Sequence, residues 1–579
     1  MPGIYGFFNR KARTSDISKM SLQMNSDGSL VQDREYIDDA FQAARTHLGT
    51  INKENSPFLN KGLAVWLEGE CYNLNDLKKR FPFPQSSLEE GILSSYHDQR
   101  LKEYARHIDG YFSCLIYDKN ENKITIVTDR YGLKLIYFYC NEGVFAWSSE
   151  VKALIALDFV KKTINEKSFE PFIKIGYMLD QDTWFKHINL VKPASILEFD
   201  ISSGKISQDH YWKWGEIKKN DINFQDASRE LGRLIIDATR KRFSFDDRIG
   251  VSLSGGLDSR AIFASLDVIA PKHVGYAYTL GQKKSSDILI AKKVISKSNW
   301  DHEVFNFSKE DWLKSRLEGI WNSDGMLNFM HMHGNKFQDQ VKSNISINLN
   351  GFLGDAVCGG TYLRAIEKMD SSPFLHQEYK KLKHTWLGSY CNNNMEYLLN
   401  MNRGRRFINM GISNSLRKID QRMPFFDNDL LEFVFSIDEK FRYGNKLYSD
   451  CLLKTFPKFF QKIPWQATGK PLSCSHKSSF SIISYLRDLK TIILKNNFRR
   501  YKSWINEPKT MEFLKELLDP TDSIYYQYYP VDLCKVYIDP HLHGKNNFSN
   551  QIMSSATMEL YLRKVFSHDL GVNKYFDGF

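Results

Sequence analysis

The stretch Ile249-Gly-Val-Ser-Leu-Ser-Gly-Gly-Leu-Asp-Ser259 decides the fold. Its first five residues form a short apolar run that is typical of a buried strand, and a helical pattern starts at Ser259. Gly255 and Gly256 permit a tight turn between the two elements. A strand, a glycine turn and a helix start create an anion site, because free backbone N–H groups and the positive end of the helix dipole converge there.

The side chains of this turn fit pyrophosphate held together with a metal ion. Ser254 and Ser259 add hydroxyl donors, whereas Asp258 suits an anion site only if it binds a Mg²⁺ that bridges phosphates. The turn lacks the Gly-Lys-Ser/Thr ending of a loop that serves γ-phosphate transfer. We therefore predict that the turn holds pyrophosphate together with a metal ion.

A second glycine turn, Asn350-Gly-Phe-Leu-Gly-Asp355, closes another apolar strand at residues 345–349. Ligands of open α/β sheets bind at the carboxyl ends of strands, so Asp258 and Asp355 are expected to face one metal ion. Two carboxylates plus phosphate oxygens are a normal Mg²⁺ shell. The alternative stays open at this point, because Gly-Asp turns end many strands for structural reasons alone.

The chain of 579 residues is long enough for two to four domains. Up to about Trp214 it shows short strands with turn signals, and from about Phe224 strands alternate with amphipathic helical stretches. Beyond about Leu363 the pattern is mostly helical. We predict an α/β protein with two domains, at residues 1–214 and 225–579, the second built on a parallel, doubly wound sheet.

The composition is that of a folded protein, with 42% hydrophobic and 25% charged residues. The net charge of +11 suits anionic ligands, nucleotides as well as nucleic acid. The basic stretch at 495–502 is interpreted as a solvated helix face, so a nucleic-acid partner is disfavoured. Eight cysteines without zinc-ligand spacing, and no apolar run long enough for a membrane span or a signal peptide, predict a cytoplasmic protein without a membrane partner.

Several further blocks of sequence resemble the asparagine synthetase-like amidoligases. The blocks in the first half are Glu68-Gly-Glu-Cys-Tyr-Asn73, Asp109-Gly-Tyr-Phe112, Asp129-Arg-Tyr-Gly132 and Ser149-Glu-Val-Lys-Ala-Leu154. The blocks in the second half are Ser254–Ser259, Gly354-Asp355 and Arg422-Met-Pro-Phe-Phe-Asp427. The resemblance covers roughly residues 1 to 475.

The resemblance implies an N-terminal nucleophile hydrolase-like αββα sandwich followed by an adenine-nucleotide α-hydrolase domain with a helical C-terminal part. It implies ATP and Mg²⁺ as cofactors, with Asp258 and Asp355 as metal ligands and catalytic groups. Lys470 is similar to the family's late lysine, which stabilises charge on the phosphates. The residues implied around the nucleotide are Leu253, Ser254, Gly255, Gly256, Leu257, Asp258, Ser259, Leu280 and Gly351.

Three positions depart from the family pattern. Pro2 stands where glutaminases of the family expose a cysteine, and Leu88 stands where an acidic residue should bind the glutamine amino group. Phe352 occupies the position of a glutamate in asparagine synthetases and of a tyrosine in β-lactam synthetases, and it cannot accept a proton. The general base is therefore unassigned. Asp324, His331 and His333 precede this loop, and structural roles are favoured for all three.

These observations predict an ATP-dependent ligase that adenylates a carboxylate for attack by an amine, without glutamine hydrolysis. The leading interpretation is an intramolecular cyclisation like those of lasso-peptide cyclases and β-lactam synthetases, with a carboxylate-bearing substrate such as a precursor peptide. An asparagine synthetase or a sugar-acid amidating enzyme that uses free ammonia is the alternative. A tRNA-modifying enzyme that adenylates a base is disfavoured, because the N-terminal half is glutaminase-like.

Overall fold

The computed structural model describes residues 1–308, 312–369, 372–474, 501–544 and 546–567. Residues up to His210 build two antiparallel sheets that pack face to face. Their strands are β1 (Gly3–Phe8), β2 (Val31–Gln32), β3 (Tyr36–Asp38), β4 (Phe41–His47), β5 (Phe58–Asn60), β6 (Leu63–Cys71), β7 (Gly110–Asp118), β8 (Lys123–Thr128), β9 (Tyr137–Asn141), β10 (Val144–Ser148), β11 (Ile188–Leu190), β12 (Ser195–Asp200) and β13 (Lys205–His210).

The strand order is β11-β9-β10-β1-β4-β2 in the first sheet, where β3 also pairs with β4, and β13-β12-β8-β7-β6-β5 in the second. Alternation along β1 shows how the layers form, because successive side chains of a strand face opposite sides. Ile4 and Phe8 join the core between the sheets, whereas Tyr5 and Phe7 join the core under the outer helices.

Helices cover both outer faces of the paired sheets. The helices of this half are α1 (Asp16–Met24), α2 (Leu74–Arg80), α3 (Leu88–His97), α4 (Leu101–His107), α5 (Val151–Ile155) and α6 (Phe169–Ile175). α1 and α5 pack on the first sheet, and α3 packs on β6 of the second sheet. The four layers confirm the predicted αββα sandwich.

The second half is built on a five-stranded sheet in which all neighbouring strands are parallel. Its strands are β14 (Ile249–Ser252), β15 (Tyr276–Gly281), β16 (Asp301–Asn306), β17 (Ile347–Leu349) and β18 (Asp420–Arg422). The order is β16-β15-β14-β17-β18, so the chain changes direction across the sheet between β14 and β17. This topological switch point is where open α/β sheets bind ligands. The predicted doubly wound sheet is confirmed.

One helix precedes the first strand of this sheet in the sequence and another follows it, and most of the remaining chain is helical. The helices are α7 (Phe224–Lys241), α8 (Asp258–Ile269), α9 (Ser286–Ile295), α10 (Lys314–Asn322), α11 (Gln338–Asn344), α12 (Gly354–Val357), α13 (Thr361–Glu367), α14 (Pro373–Leu382), α15 (Trp386–Tyr390), α16 (Met395–Leu399), α17 (Asn409–Ser415), α18 (Asn428–Ser436), α19 (Glu439–Arg442), α20 (Lys446–Thr455), α21 (Pro457–Phe460), α22 (Tyr501–Ile505), α23 (Pro508–Leu517), α24 (Asp539–Leu542) and α25 (Ser549–Phe566).

The helical region contains features that the sequence did not predict. The short polar strand β18 lies inside it, a nine-residue π-helix spans Asn400–Ile408, and a shorter one spans Cys534–Ile538. Helices of this kind are rare and occur mostly as single-turn bulges inside α-helices, frequently at functional sites. None of the helices in the described part of the chain is long and apolar enough to cross a membrane.

Buried arginines connect the two halves. Arg405, on the π-helix, donates to the main-chain oxygens of Gly132 at 2.7 Å and Val191 at 2.6 Å. Arg422, at the end of β18, donates to both carboxylate oxygens of Glu70 at 2.8 and 2.6 Å. Bidentate arginine contacts are specific in geometry, so each half is held in one orientation on the other. The boundaries 1–214 and 225–579 stay a prediction.

Candidate active site

The loop between β14 and α8 is closed by its own two serines. The N–H of Ser254 donates to Oγ of Ser259 at 3.0 Å, and the two hydroxyl oxygens lie 3.1 Å apart. The N–H of Gly256 donates to Oγ of Ser254 at 3.2 Å. Because α8 begins at Asp258, the loop sits at the positive end of a twelve-residue helix. The predicted strand, turn and helix are all present.

Groups from outside the loop fix the position of Gly255. Its N–H donates to Oδ1 of Asp287 at 2.9 Å, and its carbonyl accepts from the N–H of Gln466 at 3.1 Å and from Arg260 at 3.0 Å. A Cβ at Gly255 would lie 2.9 Å from Cβ of Gln466. Glycine is therefore required by packing, and one of the expected anion donors is already engaged by a carboxylate.

The second predicted turn interlocks with the first. The N–H of Asp355 donates to Oδ2 of Asp258 at 3.0 Å. A Cβ at Gly354 would lie 2.7 Å from Cγ of Asp258, and a Cβ at Gly351 would lie 2.9 Å from the main-chain nitrogen of Ser259. The two glycines thus let the loop after β17 approach the carboxylate at the end of β14. The structure brings Asp258 and Asp355 together, as the sequence predicted.

Both carboxylates have fixed orientations. The hydroxyl of Tyr448 donates to Oδ1 of Asp258 at 3.1 Å, and the hydroxyl of Thr361 donates to Oδ2 of Asp355 at 3.1 Å. Burial, followed by the nearby charge of Asp355, raises the pKa of Asp258 well above its usual value. The charge of Asp355 thus disfavours ionisation of Asp258, and a bound divalent cation would relieve that repulsion.

This donor set fits Mg²⁺ as an incomplete shell. Within the described residues, no group of three or more His, Cys, Asp and Glu side chains could hold a metal ion by itself. Asp258 and Asp355 supply hard oxygen ligands, and Mg²⁺ in nucleotide sites commonly takes its other ligands from phosphate and water. The residues present fit a magnesium ion that arrives together with a nucleotide.

Lys470 lies on a turn that docks against the phosphate loop. The N–H of Trp465 donates to the carbonyl of Lys470 at 2.9 Å, and Gly469 at φ +68° completes the turn. Gln466, in the same turn, contacts both Gly255 and Asp287. Lys470, which the resemblance places near the phosphates, therefore lies on a turn beside the loop between β14 and α8.

The other predicted nucleotide residues surround the switch point. Leu253 is buried, and its carbonyl accepts from the hydroxyl of Thr279 at 2.8 Å. Leu280, at the end of β15, lines a cavity that also reaches Asn350, the residue before Gly351. The loop, the second turn and this cavity form one continuous region at the carboxyl ends of the strands.

Phe352 and Asp324 have structural surroundings. Phe352 is buried, and its ring lies 4.9 Å from the ring of Phe426. Asp324 is buried as well and accepts the N–H groups of Val151 and Lys152 at 2.8 Å each, so it caps α5 from the other half of the molecule. Neither side chain is placed to act as a base at the metal site.

His331 and His333 line the cavity beside Leu280. The ring of His331 meets the ring of Phe407 edge to face at 4.8 Å. Sequence reasoning left both histidines unassigned, and it missed Tyr448, Thr361 and Asp287 altogether. Tyr448 and Asp287 lie 190 and 32 residues from the loop residues that they contact, so no local pattern could have indicated them, whereas Thr361 lies only six residues after Asp355.

The segment that resembles the family's glutaminase motif contributes to a buried ion pair. Glu68 is fully buried and pairs with the buried Lys134 at 3.0 Å. The three cysteines of residues 1–212 are Cys71, Cys114 and Cys140, and burial raises the pKa of each thiol, that of Cys71 to about 12. None of the three is a thiolate near neutral pH. Leu88 is buried at the start of α3.

Fold and site together define a protein that joins an αββα sandwich to a parallel five-stranded sheet with two acidic glycine turns at its switch point. Residues 1–212 match the family described as glutamine amidotransferase domain, and residues 230–408 match the family described as asparagine synthase. The two matches in this order, together with the relatives described next, support an asparagine synthetase-like family for the chain.

Similar proteins with assigned names support this placement. A putative glutamine-hydrolyzing asparagine synthetase 2 of Methanocaldococcus jannaschii is 23% identical over 303 residues, which are 52% of this chain and 59% of that protein. A second one, numbered 1, is 27% identical over 44% of this chain and 47% of its own length. The chain thus spans about half the length of these two relatives. The glutamine-hydrolyzing asparagine synthetase 3 of Bacillus subtilis is 25% identical over 64% of this chain and 68% of that protein.

A solved glutamine phosphoribosylpyrophosphate amidotransferase of Bacillus subtilis is 12% identical, with a TM-score of 0.26 over 52% of this chain and 80% of that one. At that score the likeness carries no argument.

Proposed function

We propose that the protein is an ATP-dependent carbon–nitrogen ligase that activates a substrate carboxylate as an acyl-adenylate. The observation that carries the proposal is the hydrogen bond between Asp355 and Asp258, which joins two carboxylate-bearing loops at the switch point of a parallel sheet. One loop is a Ser-Gly-Gly turn at the N-terminus of α8, which suits the leaving pyrophosphate. Proteins similar to this chain are named as asparagine synthetases.

The proposed reaction has two steps. A carboxylate oxygen of the substrate attacks the α-phosphorus of ATP, the bond to the bridging oxygen of the β-phosphate breaks, and pyrophosphate leaves. The nitrogen of an amine then attacks the acyl carbon, AMP leaves with the carboxylate oxygen, and the amine loses a proton. In this account Lys470 and the positive end of α8 offset charge on the phosphates.

Mg²⁺ is the metal ion that the site would hold, through Asp258 and Asp355. When bound, it would neutralise negative charge on the pyrophosphate. Tyr448 and Thr361 each hold one of the two carboxylates by a hydrogen bond. This division of roles makes Asp258 and Asp355 one functional unit.

We propose that the reaction does not use glutamine. The three cysteines of the sandwich are protonated thiols, so none is ready to attack an amide. In addition, Glu68, which belongs to the segment that resembles the family's glutaminase motif, is buried and paired with Lys134. The sandwich serves in this account as a platform that holds the π-helix and β18 through Arg405 and Arg422.

The leading source of the amine is the substrate itself, as in the macrolactam formation of lasso-peptide cyclases. The alternative is free ammonia, as for an asparagine synthetase or a sugar-acid amidating enzyme that lacks glutaminase activity. A tRNA-modifying function ranks below both, and residues 495–500 of the basic stretch at 495–502 that would carry it lie outside the described residues. All eight cysteines are free, which suits a reducing, ATP-containing compartment, and we propose the cytoplasm.

The test is the identity of the nucleotide products. Purified protein is incubated with ATP, Mg²⁺ and hydroxylamine, which traps activated acyl groups as hydroxamates, against a panel of carboxylic acids and peptides. Phosphorus-31 NMR should show AMP and pyrophosphate rising together with hydroxamate, and the Asp258→Asn protein should show none. ADP and orthophosphate as the main products would contradict the proposal.

A further inference from the structure

Two uncommon backbone conformations meet beside the loop after β17. Leu353, between Phe352 and Gly354, has φ +55°, a left-handed conformation that residues other than glycine adopt rarely. A Cβ at Gly404, within the π-helix at 400–408, would lie only 2.8 Å from Cδ1 of Leu353. Strained residues and π-helices both concentrate at functional sites. Because this contact lies two residues before Asp355, it indicates that the π-helix serves the active site.

The π-helix carries three arginines, and two of them already have partners. Arg405 and Arg406 are buried and donate to main-chain oxygens of the sandwich, namely those of Gly132, Val191, Asp180 and Asp182. Arg403 is exposed instead, and its guanidinium forms no hydrogen bond or ion pair with any residue that the structure describes. A guanidinium is always ionised near neutral pH. Arg403 is therefore a positive charge without a partner in the described part of the chain.

Aromatic rings surround this charge. The guanidinium carbon of Arg403 lies 5.5 Å from the centre of the Phe407 ring, which stacks on the ring of Tyr177 at 5.8 Å. The hydroxyl of Tyr177 lies 3.1 Å from that of Tyr379. Burial raises the pKa of these two tyrosines and of Tyr362, and the charge of Arg403 acts in the opposite direction on all three. The guanidinium thus lies close to neutral hydroxyl groups.

Two polar atoms at the same place have no partner. The hydroxyl of Tyr362 is buried and forms no hydrogen bond within the described residues, and the same is true of Oδ1 of Asn400. They lie 3.9 and 4.0 Å from the position that a Cβ of Gly404 would take, next to Arg403 along the helix. Buried polar atoms nearly always have a partner in folded proteins. These unpaired atoms indicate that the surroundings of Arg403 are completed by a group from outside the protein.

A carboxylate substrate needs a positive charge in this part of the molecule. Asp258 and Asp355 are acidic, and the nucleotide is an anion, so an approaching carboxylate is repelled by all of them. In the account above, the charge of Lys470 serves the phosphates. A guanidinium matches a carboxylate through two parallel N–H···O bonds. Arg403 also adjoins the nucleotide region, because Phe407 lines the cavity beside Leu280.

We propose that Arg403 binds the carboxylate of the substrate beside the loop after β17, before that group is activated. The inference rests on the proposed ligase function and deepens it, because it assigns the residue that recognises the acid. The rings of Phe407 and Tyr177 suit an apolar or aromatic group attached to that carboxylate. A neutral analogue of the acid lacks the charge that Arg403 recognises.

Arg403 can be changed with little risk to the fold, because its guanidinium is exposed and forms no bonds within the described residues. Arg403→Gln removes the charge. Arg403→Lys keeps the charge but loses the planar fork that binds a carboxylate in two places. Arg364→Gln, on α13, is the matched control, because Arg364 is also exposed and its guanidinium lies 5.9 Å from the ring of Tyr443 instead.

The probe is 4-fluorobenzoate, with 4-fluorobenzyl alcohol as the matched neutral molecule, and binding to the full chain is followed by fluorine-19 NMR line broadening. We expect the acid to bind and the alcohol not to bind. Arg403→Gln should weaken binding of the acid at least about tenfold, the scale of losing about 1.4 kcal/mol. Arg403→Lys should weaken it severalfold, and Arg364→Gln should stay within about twofold of the parent.

Equal binding of acid and alcohol, no binding of the acid, or acid binding that Arg403→Gln leaves unchanged would overturn the inference. A loss in Arg364→Gln as large as that in Arg403→Gln would overturn it too. The same samples are titrated with α,β-methylene-ATP and Mg²⁺. If the nucleotide binds and the acid does not, the inference about Arg403 fails alone. If the acid binds through Arg403 and the nucleotide does not bind, the carboxylate site stands and the proposed function fails.

Discussion

The main-chain N–H of Asp355 donates a 3.0 Å hydrogen bond to the carboxylate of Asp258, a residue 97 positions earlier in the chain. The bond exists because β14 and β17 are parallel neighbours whose carboxyl ends meet at one edge of the sheet. Gly351 and Gly354 leave the space for this approach. The relationship unites two glycine turns into one acidic site.

Tyr448 orients Asp258, so its hydroxyl should affect nucleotide binding. Tyr448→Phe removes the 3.1 Å hydrogen bond to Oδ1 and leaves the ring in place. A hydrogen bond to a charged group contributes about 1.5–3 kcal/mol, so the affinity for Mg²⁺ and α,β-methylene-ATP should fall by roughly tenfold or more. Calorimetric titration measures this change. An unchanged affinity, in a variant with unchanged melting temperature, would mean that the hydroxyl only packs.

Glutamine should not be a nitrogen donor. Incubation of the protein with glutamine, ATP and Mg²⁺ should release no more glutamate than a heat-inactivated control, because the cysteines of the sandwich are protonated thiols. Cys71→Ser, which removes the thiol nearest to the glutaminase-like motif, should behave like the parent. Glutamate release that Cys71→Ser abolishes would refute the assignment.

The pair of Glu68 and Lys134 should have a large effect on stability when only one partner is removed. Both side chains are buried, so Lys134→Met leaves an uncompensated buried carboxylate, which typically costs about 3–5 kcal/mol. The double variant Glu68→Gln/Lys134→Met should recover much of that loss. Urea unfolding of the parent, the single variants and the double variant measures the coupling. Equal stability of Lys134→Met and the parent would show that the pair is not isolated from water.

Asp420 should make stability depend on pH. Burial, and then the neighbouring Glu68, raise the pKa of Asp420 to about 7. In the unfolded chain the pKa of an aspartate is ~3.9. Between roughly pH 4 and 7 the folded chain therefore keeps a proton that the unfolded chain has lost. This contribution to the free energy of unfolding is therefore present at low pH and is lost as pH rises through that window.

Asp420→Asn removes that titration and nearly keeps the shape of the side chain. The difference in the free energy of unfolding, parent minus variant, should fall with rising pH by up to about 1.4 kcal/mol per pH unit between pH 4 and 7. Taking the difference cancels the titration of other buried acids, such as Asp109 and Asp324. A difference that stays flat with pH would show that Asp420 ionises normally in the folded chain.

Local sequence patterns were sufficient to predict the strand, turn and helix that carry the site. The apolar run at 249–253 became β14, and the glycine turn after it starts α8 at Asp258. The parallel arrangement of the strands also followed from the alternation of strands and helices, because parallel strands need a crossover connection, whereas their order did not. Asp258 and Asp355 could be paired in advance for the same reason.

Other parts of the site depend on tertiary contacts that leave no local signal. Tyr448 reaches Asp258 from α20, and Gln466 reaches Gly255 from beyond α21. β18 was not predicted because its residues, Asp420–Arg422, are polar. Their polar character is explained only by their position next to Asn348 on β17. Sequence alone does not show that a polar strand is the floor of a cavity.

The central claim is that Asp258 and Asp355 act as one metal-binding unit that serves cleavage of ATP. The direct measurement is a double-mutant cycle of Asp258→Asn, Asp355→Asn and the double variant, in which AMP and pyrophosphate formation is followed with the carboxylate that the hydroxamate panel identifies. Each single change should lower kcat by at least about a hundredfold, the scale of losing one preorganised electrostatic contact, and the double variant should be little worse than either. A fully active Asp355→Asn protein, or losses that multiply in the double variant, would contradict the account.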